Sequence, residues 1–211
     1  MGILSSQSYR SVATSQSTEQ AFVHVRRKPE QPALVVCDHA SCSIPAELHG
    51  LGVSTEQRRT HIGWDIGAAA VARRVARSLG LPLIAANHSR LVIDCNRRLD
   101  DPTVFPAISD GMTVPGNQGL RRSERAQRAA TYYWPYHHAI RDALRDLESR
   151  APAPALLAIH SFTPAMQGQL RPWHIGVLWD KDSRIAEPLL RGLRAHDGVR
   201  DDQTDRALGR E

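Results

Sequence analysis

Two histidines stand just beyond short apolar runs, where predicted strands end. His39 follows residues 33–37, and His160 follows residues 155–159. If the two strands are parallel, both imidazoles lie at the carboxyl edge of the sheet, where open α/β sheets bind ligands. We therefore expect His39 and His160 to lie together as candidate metal ligands. The alternative is that each ring only hydrogen-bonds a loop carbonyl.

A metal site needs a third ligand, and the stretch from His61 to Asp65 offers an imidazole and a carboxylate four residues apart, at the start of a predicted helix. These are the ligands that zinc takes when no thiolate is supplied, with a fourth position left for water. Asp65 is the preferred third ligand, and His61 is the alternative. Asp65 in this position is also compatible with a simple helix cap that satisfies free amides.

A polar cluster closes another apolar run. Residues 91–95 predict a strand, and Asn96 and Arg97 leave its end in the same way as the two histidines. A guanidinium fork beside an amide matches a carboxylate with two hydrogen bonds. The pair therefore indicates an acidic small-molecule substrate. The alternative is a solvated or ion-paired arginine.

The elements that must position these residues alternate along the chain. Apolar runs predict strands at 33–37, 82–86, 91–95, 155–159 and 175–179, and helical spacing predicts helices at 66–79 and 123–150, the second interrupted at Pro135. Residues 100–118 are predicted to be mainly loop. This alternation predicts a three-layer α/β domain with a mostly parallel or mixed sheet.

Composition limits the remaining possibilities. With 211 residues, 41% hydrophobic and 23% charged, the chain has the size of one globular domain. No run approaches the roughly 20 apolar residues of a membrane span, and no secretory signal is evident, so the cytoplasm is expected. The net charge of +5 is dispersed, which argues against a nucleic-acid partner. We expect a disordered arm over residues 1–20, one domain over 21–196 and a disordered tail over 197–211.

Five motifs together resemble the N-formylglutamate amidohydrolase family over about residues 33–195. In chain order they are Asp38-His39-Ala40-Ser41 with Ile44-Pro45, His61-Ile62-Gly63-Trp64-Asp65-Ile66-Gly67, Ser89-Arg90-Leu91-Val92-Ile93-Asp94-Cys95-Asn96-Arg97, His160-Ser161-Phe162-Thr163-Pro164 and Trp173-His174-Ile175-Gly176-Val177-Leu178-Trp179. The resemblance implies a zinc-dependent amidohydrolase with the phosphorylase/hydrolase-like fold of zinc carboxypeptidases. It also implies cleavage of N-formylglutamate, or a similar N-acyl acidic amino acid, to formate and glutamate in histidine breakdown.

The resemblance assigns roles to individual residues. It makes His39 and His160 zinc (Zn²⁺) ligands, with the third ligand from the motif that holds His61 and Asp65. It makes Asn96 and Arg97 the pair that grips the substrate carboxylate. An arginine such as Arg90 then stabilises the developing oxyanion.

The sequence departs from the family after His196. The family continues into a late strand whose Glu-containing motif resembles the carboxypeptidase general base, whereas residues 197–211 have no apolar periodicity and no such motif. An inactive or binding-only remnant is therefore the alternative to the enzyme. A third hypothesis is a metal-free thiol hydrolase that uses Cys42 near His39. The sequence carries no signal for an oligomeric state.

Overall fold

The structure is a computed structural model that describes residues 20–27, 29–166, 168–196, 198 and 201–204. Its strands are short. They are β1 (Phe22–Val25), β2 (Ala33–Cys37), β3 (Leu83–Ala86), β4 (Ile108–Ser109), β5 (Met112–Thr113), β6 (Ala155–Ala158), β7 (Ala165–Met166), β8 (Gln169–Leu170), β9 (Ile175–Leu178) and β10 (Asp201–Thr204). The predicted strands at 33–37, 82–86, 155–159 and 175–179 are confirmed to within a residue at either end.

Helical segments connect and cover the strands. The α-helices are α1 (Thr55–Arg58), α2 (Ala68–Ser78), α3 (Arg122–Arg128), α4 (Trp134–Glu148) and α5 (Ala186–Arg194). Two 3₁₀ segments, Ala46–Gly52 and Pro115–Asn117, and one π turn, Ala129–Tyr133, complete the set. The break predicted at Pro135 is confirmed, because α4 begins one residue before this proline, in the first turn where a helix tolerates it.

Four strands form a mixed central sheet with the order β1-β3-β2-β6. Strand β2 runs parallel to both β3 and β6, and β1 is antiparallel to β3. In this register Val36 pairs with Ala158. The carboxyl ends of β2 and β6 therefore meet at the same edge of the sheet, as the sequence predicts for His39 and His160.

Helices pack on both faces of the sheet, so the predicted three-layer α/β architecture is confirmed. Side chains of a strand alternate between faces. Val35 and Cys37 of β2 pack in one core with Ala72 of α2, whereas Val36 packs in the other with Tyr136 of α4. All five residues of β2 are buried because both of its faces are covered.

The strand predicted at residues 91–95 is wrong. These residues are buried, but they form turns: Val92 N–H donates to the carbonyl of Ser89, and Asp94 N–H donates to that of Val104. The apolar run therefore reflects burial in a folded-back loop, which periodicity alone does not distinguish from a buried strand.

Buried Arg128 of α3 ties this loop to the following one. Its guanidinium donates to the carbonyls of Val92 and Gly116 and to the side-chain oxygen of Asn117. Residues 100–118 are mainly loop as predicted, with the small β4–β5 hairpin inside them.

The C-terminal part forms a separate two-stranded parallel sheet from β9 and β10. Val177 of β9 packs against Ala186 and Leu190 of α5. Strand β10 differs from the expectation of disorder over 197–211, because backbone pairing with β9 needs no apolar periodicity. The rest of that tail after Thr204, and the arm expected over residues 1–20 except Gln20, lie outside the described residues. In the described part, no helix is long and apolar enough to cross a bilayer.

Candidate metal centre

Three sequence-predicted side chains meet at the carboxyl edge of the sheet. His39, Asp65 and His160 each offer a ligand atom, and these atoms all lie within 4.8 Å of one another. His39 and His160 each stand two residues beyond a strand, β2 and β6, and Asp65 lies just before α2. The Asp65 N–H also donates to the His39 carbonyl, at 3.0 Å, so the backbone holds two of the three loops together.

Two glycines allow the Asp65 loop to take its path. Gly63 packs so closely on the backbone that an added Cβ would lie 2.1 Å from the Arg58 carbonyl oxygen. Gly67, which precedes the first residue of α2, has a φ of 84°, in the left-handed region that favours glycine. The carboxylate of Asp65 therefore does not cap α2. It faces the histidines instead.

Asp65 lies between the two imidazoles. His160 Nδ1 is 2.9 Å from Asp65 Oδ2, and His39 Nδ1 is 3.3 Å from Asp65 Oδ1. The two imidazole ring centroids are 5.1 Å apart. His39 Nδ1 is buried and has no hydrogen-bond partner in the described structure. Such an atom costs free energy unless a ligand satisfies it.

Asp94 and Arg90 support the His39 side of the cluster. Asp94 Oδ1 is 2.7 Å from His39 Nε2, and its Oδ2 accepts a 2.9 Å hydrogen bond from Arg90. The same guanidinium lies 3.6 Å from Asp65 Oδ1. Arg90 therefore stands beside the cluster. No role was predicted for Asp94, which stands two residues before Asn96 and contacts His39 across 55 residues of chain.

Asp38 and Tyr136 support the His160 side, and sequence reasoning missed both. Asp38 Oδ2 lies 3.1 Å from His160 Nε2, and Asp38 Oδ1 accepts a 2.6 Å hydrogen bond from the Tyr136 hydroxyl. Tyr136 is fully buried. Its partner Asp38 stands 98 residues away in the chain, a separation that no local pattern indicates.

The cluster shifts the pKa values of its histidines upwards. Burial lowers the pKa of His160, but its contacts with Asp38 and Asp65 outweigh burial and raise the pKa to about 9. Burial likewise lowers the pKa of His39, and the contacts with Asp65 and Asp94 outweigh it, so the pKa rises. Without metal, both rings are therefore stabilised in the protonated form.

The carboxylates shift in the opposite direction. Burial raises the pKa of Asp65, but hydrogen bonds from His160 and contacts with His39 hold it well below its usual range. Burial also raises the pKa of Asp94, and His39 and Arg90 lower it to about 2. Both groups are therefore anionic at neutral pH.

This charge pattern fits a divalent cation. Three carboxylates, those of Asp38, Asp65 and Asp94, face two imidazoles and the Arg90 guanidinium. A dication that displaces one proton from each ring leaves the net charge of the group unchanged. The partnerless Nδ1 of His39 faces the same point. The residues present therefore fit a metal ion with two imidazoles and one carboxylate, a zinc-type donor set.

The backbone of Asn96 and Arg97 is hydrogen-bonded to Asp94, beside the cluster. Asn96 N–H donates to Asp94 Oδ1, and Arg97 N–H donates to the Asp94 carbonyl. The Arg97 carbonyl accepts a hydrogen bond from Tyr133. Both residues are exposed. Their side chains are thus presented to solvent on a backbone that is fixed to the site.

Two alternatives from the sequence are not brought to the cluster. His61 is exposed and pairs with Asp110, at 2.9 Å, so Asp65 is the member of that motif that joins His39 and His160. Cys42 is partly exposed. In the described part of the chain, the ring nitrogens of His39 face Asp65 and Asp94 rather than the Cys42 thiol.

Comparisons with known proteins identify two similar solved structures and a family. A gene product of Agrobacterium tumefaciens of known crystal structure is 33% identical to the chain, with a TM-score of 0.83, over 89% of this chain and 74% of that one. An N-formylglutamate amidohydrolase from Ralstonia eutropha JMP134 is 26% identical, with a TM-score of 0.59, over 89% and 77%. No functionally curated protein matches. The sequence model of the N-formylglutamate amidohydrolase family matches residues 31–204, and the chain belongs to that family.

Proposed function

We propose that the chain is a zinc-dependent amidohydrolase that cleaves the amide bond of N-formylglutamate, or of a similar N-acyl acidic amino acid. The products are the free amino acid and the carboxylic acid of the acyl group, which is formate for N-formylglutamate. The observation that carries the proposal is the cluster of His39, Asp65 and His160, in which a buried ring nitrogen has no hydrogen-bond partner. Family membership supports the reaction class.

His39, Asp65 and His160 would hold the metal. When bound, zinc supplies a Lewis acid that polarises the acyl carbonyl and acidifies water. Arg90 is 27% exposed and lies beside Asp65, so its guanidinium is placed to stabilise negative charge on the carbonyl oxygen. Its hydrogen bond to Asp94 keeps it at that point.

Asn96 and Arg97 would bind a carboxylate of the substrate. The amide and guanidinium together offer the donors that a carboxylate accepts. Backbone contacts with Asp94 and Tyr133 fix the main chain of Asn96 and Arg97. Because the main chain is already ordered, less conformational entropy is lost when the side chains bind a substrate. Removing the Arg97 guanidinium should therefore raise KM for an acidic substrate more than for a neutral one.

Hydrolysis also needs a group that takes a proton from water and passes it to the departing amino group. Each carboxylate of the cluster is engaged on both oxygens: Asp38 by Tyr136 and His160, Asp65 and Asp94 by histidine and Arg90. This observation favours a second candidate function, a protein that binds metal and ligand without turnover.

One experiment separates the two candidates. The purified chain is loaded with zinc, and formate release from N-formylglutamate is measured with and without chelator. Bound zinc with chelator-sensitive formate release supports the enzyme, and bound zinc without formate supports the binding protein. The matched variants are His160→Ala, which should lose zinc, and His61→Ala, which removes an exposed imidazole and should retain it. Equal zinc binding by both variants would contradict the ligand assignment.

A further inference from the structure

Asp38 connects the metal-binding cluster to helix α4. One carboxylate oxygen lies 3.1 Å from His160 Nε2, and the other accepts the 2.6 Å hydrogen bond from Tyr136. Tyr136 is fully buried, and Asp38 is only 9% exposed. Because the hydroxyl is shielded from bulk solvent, its hydrogen bond to the charged carboxylate favours one orientation of Asp38.

We propose that Tyr136 is a positioning residue, which acts through Asp38 to hold the His160 ring as metal binding requires. The inference rests on the proposed function, because it assigns His160 Nδ1 to the metal. In this arrangement Nε2 keeps its proton and donates to Asp38, and Nδ1 faces Asp65.

Packing alone does not immobilise this histidine. His160 follows β6, which lies at the edge of the central sheet, and its side chain is 32% exposed, against 3% for His39. The ring orientation therefore depends on its two polar contacts. A ligating histidine is commonly oriented by a carboxylate on its other ring nitrogen.

The charge of Asp38 also determines which ring nitrogen is free. A neutral imidazole carries one ring proton, and an anion beside Nε2 stabilises that proton there. Without metal, Nδ1 lies 2.9 Å from Asp65 Oδ2. When a metal ion displaces the Nδ1 proton, the lone pair is left on that nitrogen. If Tyr136 lost its hydroxyl, one oxygen of Asp38 would lose its buried donor. The carboxylate would then be free to turn away from His160.

A π turn before the helix that carries Tyr136 determines the direction in which the Tyr136 side chain points. The π turn Ala129–Tyr133 immediately precedes α4. Compared with an unbroken α-helix, one extra residue rotates the following side chains by roughly 100°. With this rotation the Tyr133 hydroxyl reaches the Arg97 carbonyl, and the Tyr136 hydroxyl reaches Asp38. The same turn thus supports both the ligand His160 and the Asn96–Arg97 segment.

The test compares Tyr136→Phe with Tyr132→Phe. Each removes one hydroxyl from the same helical segment, but the Tyr132 hydroxyl donates to Glu47, which is not a member of the cluster. Zinc affinity is measured by competition with a chromophoric chelator on protein shown to be folded. We expect Tyr136→Phe to weaken zinc binding about tenfold or more and Tyr132→Phe to leave it unchanged. Equal affinity of Tyr136→Phe and the unaltered chain overturns the proposal.

A second variant and a metal-free readout complete the test. Asp38→Asn keeps the side-chain size but removes the charge that stabilises the Nε2 proton, so it should weaken zinc binding at least as much as Tyr136→Phe. In the metal-free, ¹⁵N-labelled chain, the His160 Nε2 proton should give a hydrogen-bonded signal in the unaltered chain and in Tyr132→Phe. That signal should disappear in Tyr136→Phe.

The readouts distinguish the two ways of failing. If the unaltered chain binds no zinc, the proposed function fails. The Nε2 proton signal then still decides the positioning role, because its persistence in Tyr136→Phe overturns the role and its loss supports it.

Discussion

Zinc binding should release protons, and the number released follows from the cluster. Both imidazoles must give up the proton on the nitrogen that faces the metal. The pKa of His160 is raised to about 9, so at pH 7 the ring is about 99% protonated without metal. The pKa of His39 is raised as well. Binding at pH 7 should therefore release between about one and two protons for each zinc ion.

The same protons set the pH dependence of affinity. One displaced proton makes the apparent affinity rise about tenfold for each pH unit below the pKa of the group. Because His160 remains protonated up to about pH 9, we expect affinity to rise at least about a hundredfold between pH 6 and pH 8. His39 should add to this rise wherever it is protonated. Lowering the pH adds protons to both rings and therefore weakens zinc binding.

Calorimetric zinc titration measures this directly. Titrations in two buffers with different ionisation enthalpies give the number of protons released, and chelator competition gives the affinity at each pH. The control is His61→Ala, whose exposed imidazole contacts Asp110 and no cluster residue. An affinity that does not change between pH 6 and 8, or a release well below one proton, would refute the assignment of His160 as a protonated ligand.

Three further predictions concern single residues and the metal-free state. Asp94→Asn removes the carboxylate at His39 Nε2 and should weaken zinc binding about 10- to 100-fold. The control Asp110→Asn removes the carboxylate that contacts exposed His61 and should have no effect. Chelator competition measures the zinc affinity of both variants. In chelator, the contribution of His160 to stability is complete below its ordinary pKa of 6.5 and is lost as the pH rises through about 9. The contribution of Asp94 is present above its ordinary pKa of 3.8 and is lost as the pH falls to about 2. The midpoint temperature of thermal unfolding should thus be highest between about pH 4 and 6.5. A monotonic rise of stability up to pH 9 would contradict these contacts. Arg128→Met leaves the acceptors of Val92, Gly116 and Asn117 without their donor. It should lower the free energy of unfolding, measured by urea denaturation, by about 2–3 kcal/mol. The control Arg122→Met, at an exposed position of the same helix, should change that free energy by less than about 0.5 kcal/mol.

The placement of His39 and His160 was predictable because it depends on one rule of sheet topology. Parallel strands direct their carboxyl ends to the same edge, and β2 and β6 are neighbours in the sheet. Spacing did not decide between His61 and Asp65 as the third candidate ligand. Residues 61–64 form turns, and α2 begins only at Ala68, so His61 and Asp65 do not share one helix face.

The partners of the candidate ligands His39 and His160 were not predictable from local patterns. Asp38 and Asp94 contact His160 and His39 across separations of 122 and 55 residues, respectively, which periodicity does not encode. The π turn before α4 also left no clear sequence signal, since its residues fit a continuous helix. These contacts depend on how α4 and the loops pack, which is a tertiary property.

The most direct test of the central claim is zinc content and formate release measured together on the unaltered chain. We expect about one zinc ion bound through His39, Asp65 and His160, with formate released from N-formylglutamate only when the metal is present. Formate release that persists in chelator, or zinc binding that survives replacement of both histidines by alanine, would contradict it.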